Sequence, residues 1–248
     1  MINLYDKIPF KTDGKGGPVV TAFFNENGEK RPAIIVLPGG GWGGHSWQEG
    51  VPIAEFYKSK GYHAFVLKYR VAPNKYPAPL CDVQRLIKYL RANAEDLCID
   101  PNKIFVIGFS AGGHLAALSG VAEDVCLLGD ELDAFNHRPN GVLLGYSVIV
   151  TERSCAIKIC ENEEMLKNDV AVLNKINCNI PPMFIWHTLE DNCVMADESI
   201  KLATVLREHK VSFELHLFPH GPHGLGLAPN NPDVAAWADL SLKWMEKV

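Results

Sequence analysis

A serine flanked by glycines stands between an apolar, β-branched run and a segment that can form a helix. The pattern Gly-x-Ser-x-Gly covers residues 108–112, directly after the apolar residues 104–107, and Ser110 is at its centre. This order is typical of a nucleophile elbow, a strained strand-to-helix turn that exposes the serine hydroxyl. Glycines on both sides permit the close backbone packing that such a turn requires. We therefore predict that Ser110 is a nucleophile; the alternative is a glycine-rich turn whose serine has no chemical role.

A serine becomes a useful nucleophile when a histidine takes its proton and an acid orients that histidine. In folds built around such an elbow, the acid and then the histidine follow the serine, on loops after later strands. The loop after the apolar run 182–187 carries two adjacent acids, Glu190 and Asp191. Because a shift of one residue points a side chain elsewhere, only one of them can serve. We favour Asp191.

Two histidines lie on the loop that follows the last strand-like run, residues 213–218. We favour His223 over His220 as the base, because Gly221 and Pro222 turn the chain sharply just before it. The histidines within strand or helix patterns are expected to be structural: His63, His114, His187 and His216. No carboxylate cluster has metal-ligand spacing, so we predict neither a metal nor another cofactor.

A second glycine-rich loop follows the apolar run 33–37 and reads Pro38-Gly39-Gly40-Gly41-Trp42. Successive glycines leave backbone N–H groups accessible, which suits a loop that surrounds a developing negative charge. A dinucleotide-binding loop is the competing interpretation, but these glycines do not lead directly into a helix with an acidic residue after the next strand. Trp42 either lines the substrate cleft or forms an aromatic plug at the loop. We name it as a candidate pocket residue.

Further segments complete a recognisable order along the chain: Tyr69-Arg70-Val71-Ala72-Pro73, Asp100-Pro101, His187-Thr188-Leu189-Glu190-Asp191 and Pro219-His220-Gly221-Pro222-His223-Gly224. With the two glycine motifs, they resemble the α/β-hydrolase carboxylesterases. The resemblance is to the small acetylesterases and acetyl xylan esterases related to hormone-sensitive-lipase-like enzymes. It runs from about residue 30 to the C-terminus. In one departure, Pro38 stands where those lipase-like relatives usually have the histidine of His-Gly-Gly-Gly.

The resemblance implies an α/β-hydrolase fold and a serine esterase. It assigns Ser110 as nucleophile, His223 as base and Asp191 as orienting acid. It also implies that an oxyanion hole is formed by the backbone N–H groups of Gly40, Gly41 and Ala111. Acetylated sugars or xylan fragments are the substrates that it suggests. The long amino-terminal cap of the lipase-like relatives is missing, which favours small or soluble esters.

Apolar runs and helical patterns alternate along the chain, which predicts a mostly parallel sheet with helices on both faces. Strands are expected at 33–37, 63–67, 104–109, 142–150, 182–187 and 213–218, and helices at 51–60, 78–94, 197–208 and 234–247. Residues 1–31 are expected to form an antiparallel lead-in with a turn at Asn27-Gly28. The polar segment 151–179, with helical patches at 162–167 and 170–177, is interpreted as an inserted lid. Residues 1–248 are interpreted as one domain.

Charge and composition limit the partners and the location. The net charge of −5 argues against nucleic acid and anionic membranes as main partners, and no apolar run reaches transmembrane length. The seven cysteines are odd in number and contain no Cys-x-x-Cys pair, so free thiols are expected. Free thiols and the lack of a secretory signal pattern predict a cytoplasmic protein whose partner is a small-molecule ester.

These features together predict a serine carboxylesterase that hydrolyses short-chain esters, chiefly acetyl esters, through an acyl-enzyme. An arylformamidase or a small peptidase would use the same three residues, because ester and amide cleavage share them. A non-catalytic ligand-binding protein of this fold is a further alternative. It would be expected to lack one of the three residues, and all are present here.

Overall fold

The computed structural model describes residues 2–10, 16–25, 28–151 and 154–248. A seven-stranded sheet with the order β1-β3-β2-β4-β5-β6-β7 forms its centre. The strands are β1 (Val19–Phe23), β2 (Arg31–Leu37), β3 (His63–Lys68), β4 (Ile99–Phe109), β5 (Gly141–Gly145), β6 (Met183–Thr188) and β7 (Phe213–Phe218). Strand β1 pairs antiparallel with β3, and the other neighbouring strands pair parallel. The predicted, mostly parallel sheet is confirmed.

Helices cover both faces of this sheet, and its central strands are therefore buried on both sides. The helices are α1 (Val51–Ser59), α2 (Ala78–Ala92), α3 (Ser110–Val121), α4 (Glu163–Asn168), α5 (Asp197–Glu208) and α6 (Pro232–Met245). Successive strand residues belong to opposite cores: Ile35 lies in the core that α2, α3 and α5 cover, and Ile34 lies in the core that α1 and α6 cover. This arrangement confirms the α/β-hydrolase fold class and places the carboxyl ends of the parallel strands at one edge.

Strand β5 is shorter than its apolar run predicts. It ends at Gly145, because Tyr146 adopts a left-handed backbone conformation with φ of 36°. The chain then turns toward the serine, and Val148 donates a backbone hydrogen bond to the carbonyl oxygen of Ser110 at 3.2 Å. The predicted strand 142–150 is therefore wrong beyond residue 145, where the chain forms a loop beside the elbow instead.

The amino-terminal lead-in and the polar segment are only partly regular. Residues 19–23 form the antiparallel strand β1, and Ile2 makes an isolated bridge to Val20. The predicted turn at Asn27-Gly28 includes Asn27, which lies outside the described residues. In the polar segment, α4 matches the patch predicted at 162–167. The patch predicted at 170–177 contains one short 3₁₀ turn instead of a longer helix, at Leu173–Lys175.

A disulfide joins two cysteines that sequence analysis treats as free. Cys81 in α2 and Cys126, just after α3, have sulfur atoms 2.12 Å apart. The prediction of free thiols is wrong for this pair. The two cysteines are 45 residues apart in sequence, but the packing of α2 against α3 brings their Cα atoms to within 4.8 Å of each other. The other cysteines are free: Cys98, Cys155, Cys160, Cys178 and Cys193. Within the described ranges, no helix combines the length and apolar character needed to cross a bilayer.

Candidate active site

The chain turns sharply at Ser110, where β4 ends and α3 begins. Ser110 has φ of 52°, a left-handed conformation that costs energy for a residue with a side chain. The flanking glycines allow the turn. A Cβ atom on Gly108 would lie 2.2 Å from the carbonyl oxygen of Gly112, and one on Gly112 would lie 2.2 Å from that of Leu37. The turn therefore has the geometry of an elbow that presents the serine hydroxyl.

The three side chains that sequence analysis selected meet at this turn. The Ser110 hydroxyl lies 2.9 Å from Nε2 of His223. On the other side of the ring, Nδ1 of His223 lies 2.6 Å from Oδ2 of Asp191. The carboxylate can accept only from a protonated Nδ1, so Nε2 is left to accept the serine proton. This arrangement can deprotonate a serine.

Asp191 is held as an anion by several donors. Its Oδ1 accepts hydrogen bonds from the backbone N–H groups of Cys193 and Val194, each at 2.9 Å. Its Oδ2 also lies 3.4 Å from Nε2 of His187. Burial alone would raise the pKa of Asp191, but the hydrogen bonds from His187, His223 and the backbone outweigh burial and hold the pKa below its ordinary value. The buried acid is therefore ionised near neutral pH.

The two rejected candidates form a separate pair on the surface. His220 Nδ1 lies 2.9 Å from Oε1 of Glu190, and both side chains are exposed. Glu190 also accepts the backbone N–H of Gly221 at 3.0 Å. The four histidines expected to be structural are bound to such partners: His63 to Cys98, His114 to Val170, His187 to Ser199 and Val194, and His216 to Glu214.

Two residues of the glycine loop, Gly40 and Gly41, line the same cavity as Ser110. Gly40 and Gly41 have φ of 144° and 58°, conformations that favour glycine. Among the described residues, neither of their N–H groups has a hydrogen-bond acceptor. The N–H group of Ala111 lies in the first turn of α3, where no intrahelical acceptor exists. These three groups are thus available to bind an anionic oxygen.

The cavity at Ser110 has a volume of about 520 Å³. Its walls combine apolar and polar side chains, chiefly Val148, Val150, Val194, Ser46, Gln48, Ser154 and Glu198. Trp42 does not line it. The indole is fully buried in the core and packs edge-on against the rings of Tyr69 and His114, each with a centroid distance of 5.6 Å. The prediction of Trp42 as a pocket residue is therefore wrong, and the plug interpretation describes its position.

Two buried residues at the site escaped sequence analysis. Glu49 is 3% exposed, and its oxygens accept from the N–H of Gly39 at 2.8 Å and the hydroxyl of Tyr146 at 2.7 Å. The ring of Tyr146 lies 4.9 Å from the imidazole of His223, centroid to centroid. Neither residue belongs to a motif, so no local sequence signal could have identified it.

Comparison with known proteins finds relatives that are named as hydrolases and esterases. A BD-FAE family model matches residues 23–152. The crystal structure of an acetyl ester-xyloside bifunctional hydrolase from Caldicellulosiruptor lactoaceticus is 36% identical, with a TM-score of 0.93. That similarity covers 100% of this chain and 95% of the other. The carboxylesterase Cest-2923 from Lactobacillus plantarum is 28% identical, with a TM-score of 0.81 and 92% of each chain covered.

Two curated relatives are longer than this chain. Endo-1,4-beta-xylanase B of Butyrivibrio fibrisolvens is 32% identical over 89% of this chain, which spans 36% of that protein. The acetylxylan esterase of Xylanibacter ruminicola is 28% identical over 86% of this chain, which spans 44% of that protein. The resemblance inferred from the motifs is confirmed. With a family match over more than half of its length and near-complete structural overlap, the chain belongs to the BD-FAE family of α/β-hydrolase fold.

Proposed function

We propose that the protein is a serine carboxylesterase that hydrolyses short-chain esters through an acyl-enzyme. The observation that carries this proposal is the row of hydrogen bonds from Ser110 through His223 to Asp191 at the edge of a cavity. Such a row activates a hydroxyl that would otherwise be a weak nucleophile. Relatives with esterase names add support from an independent direction.

The reaction proceeds in two halves. Ser110 attacks the ester carbonyl while His223 Nε2 takes the hydroxyl proton, and the imidazolium then gives this proton to the departing alcohol. Water attacks the acyl-enzyme with His223 again as base, which releases the carboxylic acid and restores the serine. Asp191 stays ionised throughout, keeps the imidazole oriented and stabilises its charged form.

The carbonyl oxygen becomes negatively charged in each half of the reaction. In the proposal it enters the space before the N–H groups of Gly40, Gly41 and Ala111, which have no acceptor within the described part of the chain. Donors that are already fixed stabilise this charge without reorganising, and each contributes roughly a 10²–10³-fold rate effect. The free N–H groups therefore support an oxyanion hole at this position.

We infer acetyl esters of sugars or xylo-oligosaccharides as the substrate class. The names of two relatives, an acetylxylan esterase and an acetyl ester-xyloside hydrolase, support this choice. We also propose that residues 1–248 form one domain and that segment 151–179 acts as a lid. Two contacts support the lid: Ser154 and Cys155 line the cavity, and Lys158 Nζ donates to the carbonyl oxygen of Gly41 at 2.9 Å.

A cytoplasmic location remains part of the proposal, together with a small-molecule ester as the partner. Five free cysteines agree with a reducing compartment, whereas the Cys81–Cys126 disulfide is more typical of an oxidising one. Fractionation of the native host, followed by antibody detection of the protein, tests the location. Recovery outside the cytoplasm would contradict it.

Hydrolysis of p-nitrophenyl acetate by the wild type and by Ser110→Ala tests the proposed function. We expect the variant to lose turnover by a factor on the order of 10⁴ or more, because the nucleophile is gone. Its circular dichroism should match that of the wild type. Equal rates for the two proteins would reject the assignment.

A substrate panel then separates the alternatives. Esters from acetyl to octanoyl define the acyl limit, and acetylated xylose tests the sugar assignment. An aryl formamide and an aminoacyl amide represent the arylformamidase and peptidase alternatives. Faster cleavage of either amide than of every ester would replace the esterase proposal with that activity.

A further inference from the structure

A buried carboxylate connects two loops that the proposed reaction uses. Glu49 lies at the end of a 3₁₀ turn, Trp47–Glu49, beneath the glycine loop. Its Oε2 accepts the backbone N–H of Gly39, the residue before the proposed oxyanion donors, at 2.8 Å. Its Oε1 accepts the hydroxyl of Tyr146 at 2.7 Å. One side chain thus fixes the glycine loop to the segment after β5.

Tyr146 extends this connection to the histidine loop. Its hydroxyl oxygen accepts the backbone N–H of Gly226 at 3.0 Å, three residues after His223. The carbonyl oxygen of Gly226 in turn accepts the indole N–H of Trp237 at 3.0 Å. The ring of Tyr146 packs edge-on against the imidazole of His223, with centroids 4.9 Å apart. Tyr146, which hydrogen-bonds Glu49, therefore supports the position of the His223 ring.

We propose that Glu49 is a positioning residue that aligns the oxyanion loop with His223 and favours the imidazolium formed during attack. This inference rests on the proposed esterase function. Alignment follows from the hydrogen bonds that join Glu49 to Gly39 and, through Tyr146, to Gly226. The charge contribution follows because Glu49 and His223 line the same cavity, where water screens charges weakly.

The chemistry of the pocket around Glu49 supports a carboxylate rather than a neutral side chain. Burial raises the pKa of Glu49 above its ordinary value, and hydrogen bonds from Tyr146, Gly39 and Ser46, with the charge of His223 when it is protonated, reduce that rise. Both oxygens face hydrogen-bond donors, as expected for an ionised acid. A buried acid is a costly way to fill space, since an apolar side chain of similar size packs as well. The alignment of the two loops that Glu49 joins is a function that explains why this energetic cost is retained.

The variants Glu49→Gln and Tyr146→Phe test the proposal with little change in shape. Glutamine keeps an acceptor for Gly39 but removes the charge. Phenylalanine keeps the ring against His223 but removes the link to Glu49 and Gly226. Tyr57→Phe is the matched control, because Tyr57 is also fully buried and its hydroxyl hydrogen-bonds Ser241 at 2.7 Å, within the core.

The measurement is the rate of acylation per active site, with the sites counted by titration with a serine-directed phosphonate. We expect acylation and kcat to fall roughly 10–100-fold in both variants, because misaligned groups lose that much. KM should change by less than about threefold, since ground-state binding is retained. Tyr57→Phe should stay within about twofold of the wild type. The double variant Glu49→Gln/Tyr146→Phe should acylate about as fast as the slower of the two single variants, because both changes break one network.

The outcomes separate the two proposals. A wild type without esterase activity would refute the proposed function itself. An active wild type, with Glu49→Gln and Tyr146→Phe both acylating at the wild-type rate per titrated site, would overturn the positioning role alone. A loss confined to the number of titratable sites would also overturn it, since that result reports folding rather than alignment.

Discussion

At the scale of single residues, the candidate site depends on groups held in conformations that they would not adopt alone. Ser110 keeps a left-handed backbone because its glycine neighbours leave room for the turn. Asp191 remains charged in a buried position because four donors surround its oxygens. In each case the surrounding structure offsets an unfavourable local state, which is a recurrent property of functional sites.

The variant Asp191→Asn tests the role of this charge in the reaction. Asparagine can accept from the backbone but no longer stabilises the imidazolium or selects the Nδ1-protonated ring. We expect kcat to fall by a factor on the order of 10⁴, the loss that the equivalent substitution causes in a serine protease. Steady-state hydrolysis of p-nitrophenyl acetate measures the effect. A loss below about tenfold would show that Asp191 does not orient the base.

The depressed pKa of Asp191 also predicts how the stability of the protein depends on pH. Because the folded pKa lies below the unfolded one, the ionised group stabilises the fold above the unfolded pKa of about 4. That contribution declines as the pH falls below this value. The wild type should therefore exceed Asp191→Asn in Tm at pH 7, with the difference shrinking below pH 4. Thermal unfolding across this range checks the prediction; a difference that grows in acid would contradict it.

At the scale of elements, the ends of strands and helices bring the site together. Strand β5 stops at Gly145, where a Cβ atom would lie 2.6 Å from the ring of Phe109. The chain then turns at Tyr146 and passes beside Ser110. Helix α3 begins at the serine itself, and α2 packs beside it, joined by the Cys81–Cys126 disulfide. Early termination of one strand thus creates the loop that forms part of the cavity.

The disulfide gives a prediction at this scale. Under denaturing, non-reducing conditions, alkylation followed by mass spectrometry should modify five cysteines and leave Cys81 and Cys126 unmodified. The double variant Cys81→Ala/Cys126→Ala should lose ~2–4 kcal/mol in the free energy of unfolding, because the unfolded chain is no longer constrained. Its kcat should match that of the wild type. Seven alkylated cysteines would contradict the bond.

At the scale of the whole molecule, two cores on opposite faces of the sheet hold the loops at its carboxyl edge. The described residues 154–179 of the polar segment border the cavity at this edge and are attached by lysines. Lys75 Nζ donates to the carbonyl oxygens of Lys158 and Cys160 at 2.9 and 3.0 Å. Lys158 in turn reaches the glycine loop at Gly41. The segment is therefore tied both to the body of the protein and to the mouth of the cavity.

The variant Lys75→Ala should loosen this attachment without unfolding the protein. We expect faster cleavage within 151–179 by a nonspecific protease, a higher KM, and a change in unfolding free energy within about 1 kcal/mol. Limited proteolysis with peptide mapping measures the first effect. Lys30→Ala is the control, because Lys30 pairs with the exposed Glu95 at the amino end of β2, the sheet edge opposite the cavity. Equal cleavage rates in the wild type and Lys75→Ala would contradict a role for these contacts.

Local patterns were sufficient for much of the fold and for the identity of the three meeting side chains. Gly108, Ser110 and Gly112 lie within five consecutive residues, so the turn that they form is readable from a short segment. Strand and helix periods predicted the order of elements, and a parallel sheet brings the loops after its strands to one edge, which placed Asp191 and His223 near Ser110.

Contacts between distant segments could not be predicted from local sequence patterns. Glu49 and Tyr146 are 97 positions apart, Cys81 and Cys126 are 45 apart, and Trp42 is buried by rings from other elements. Their roles depend on which side chains the packing of helices against the sheet brings together. Backbone conformation and periodicity are properties of neighbouring residues, whereas burial and hydrogen-bond partnership across the chain arise only once it has folded.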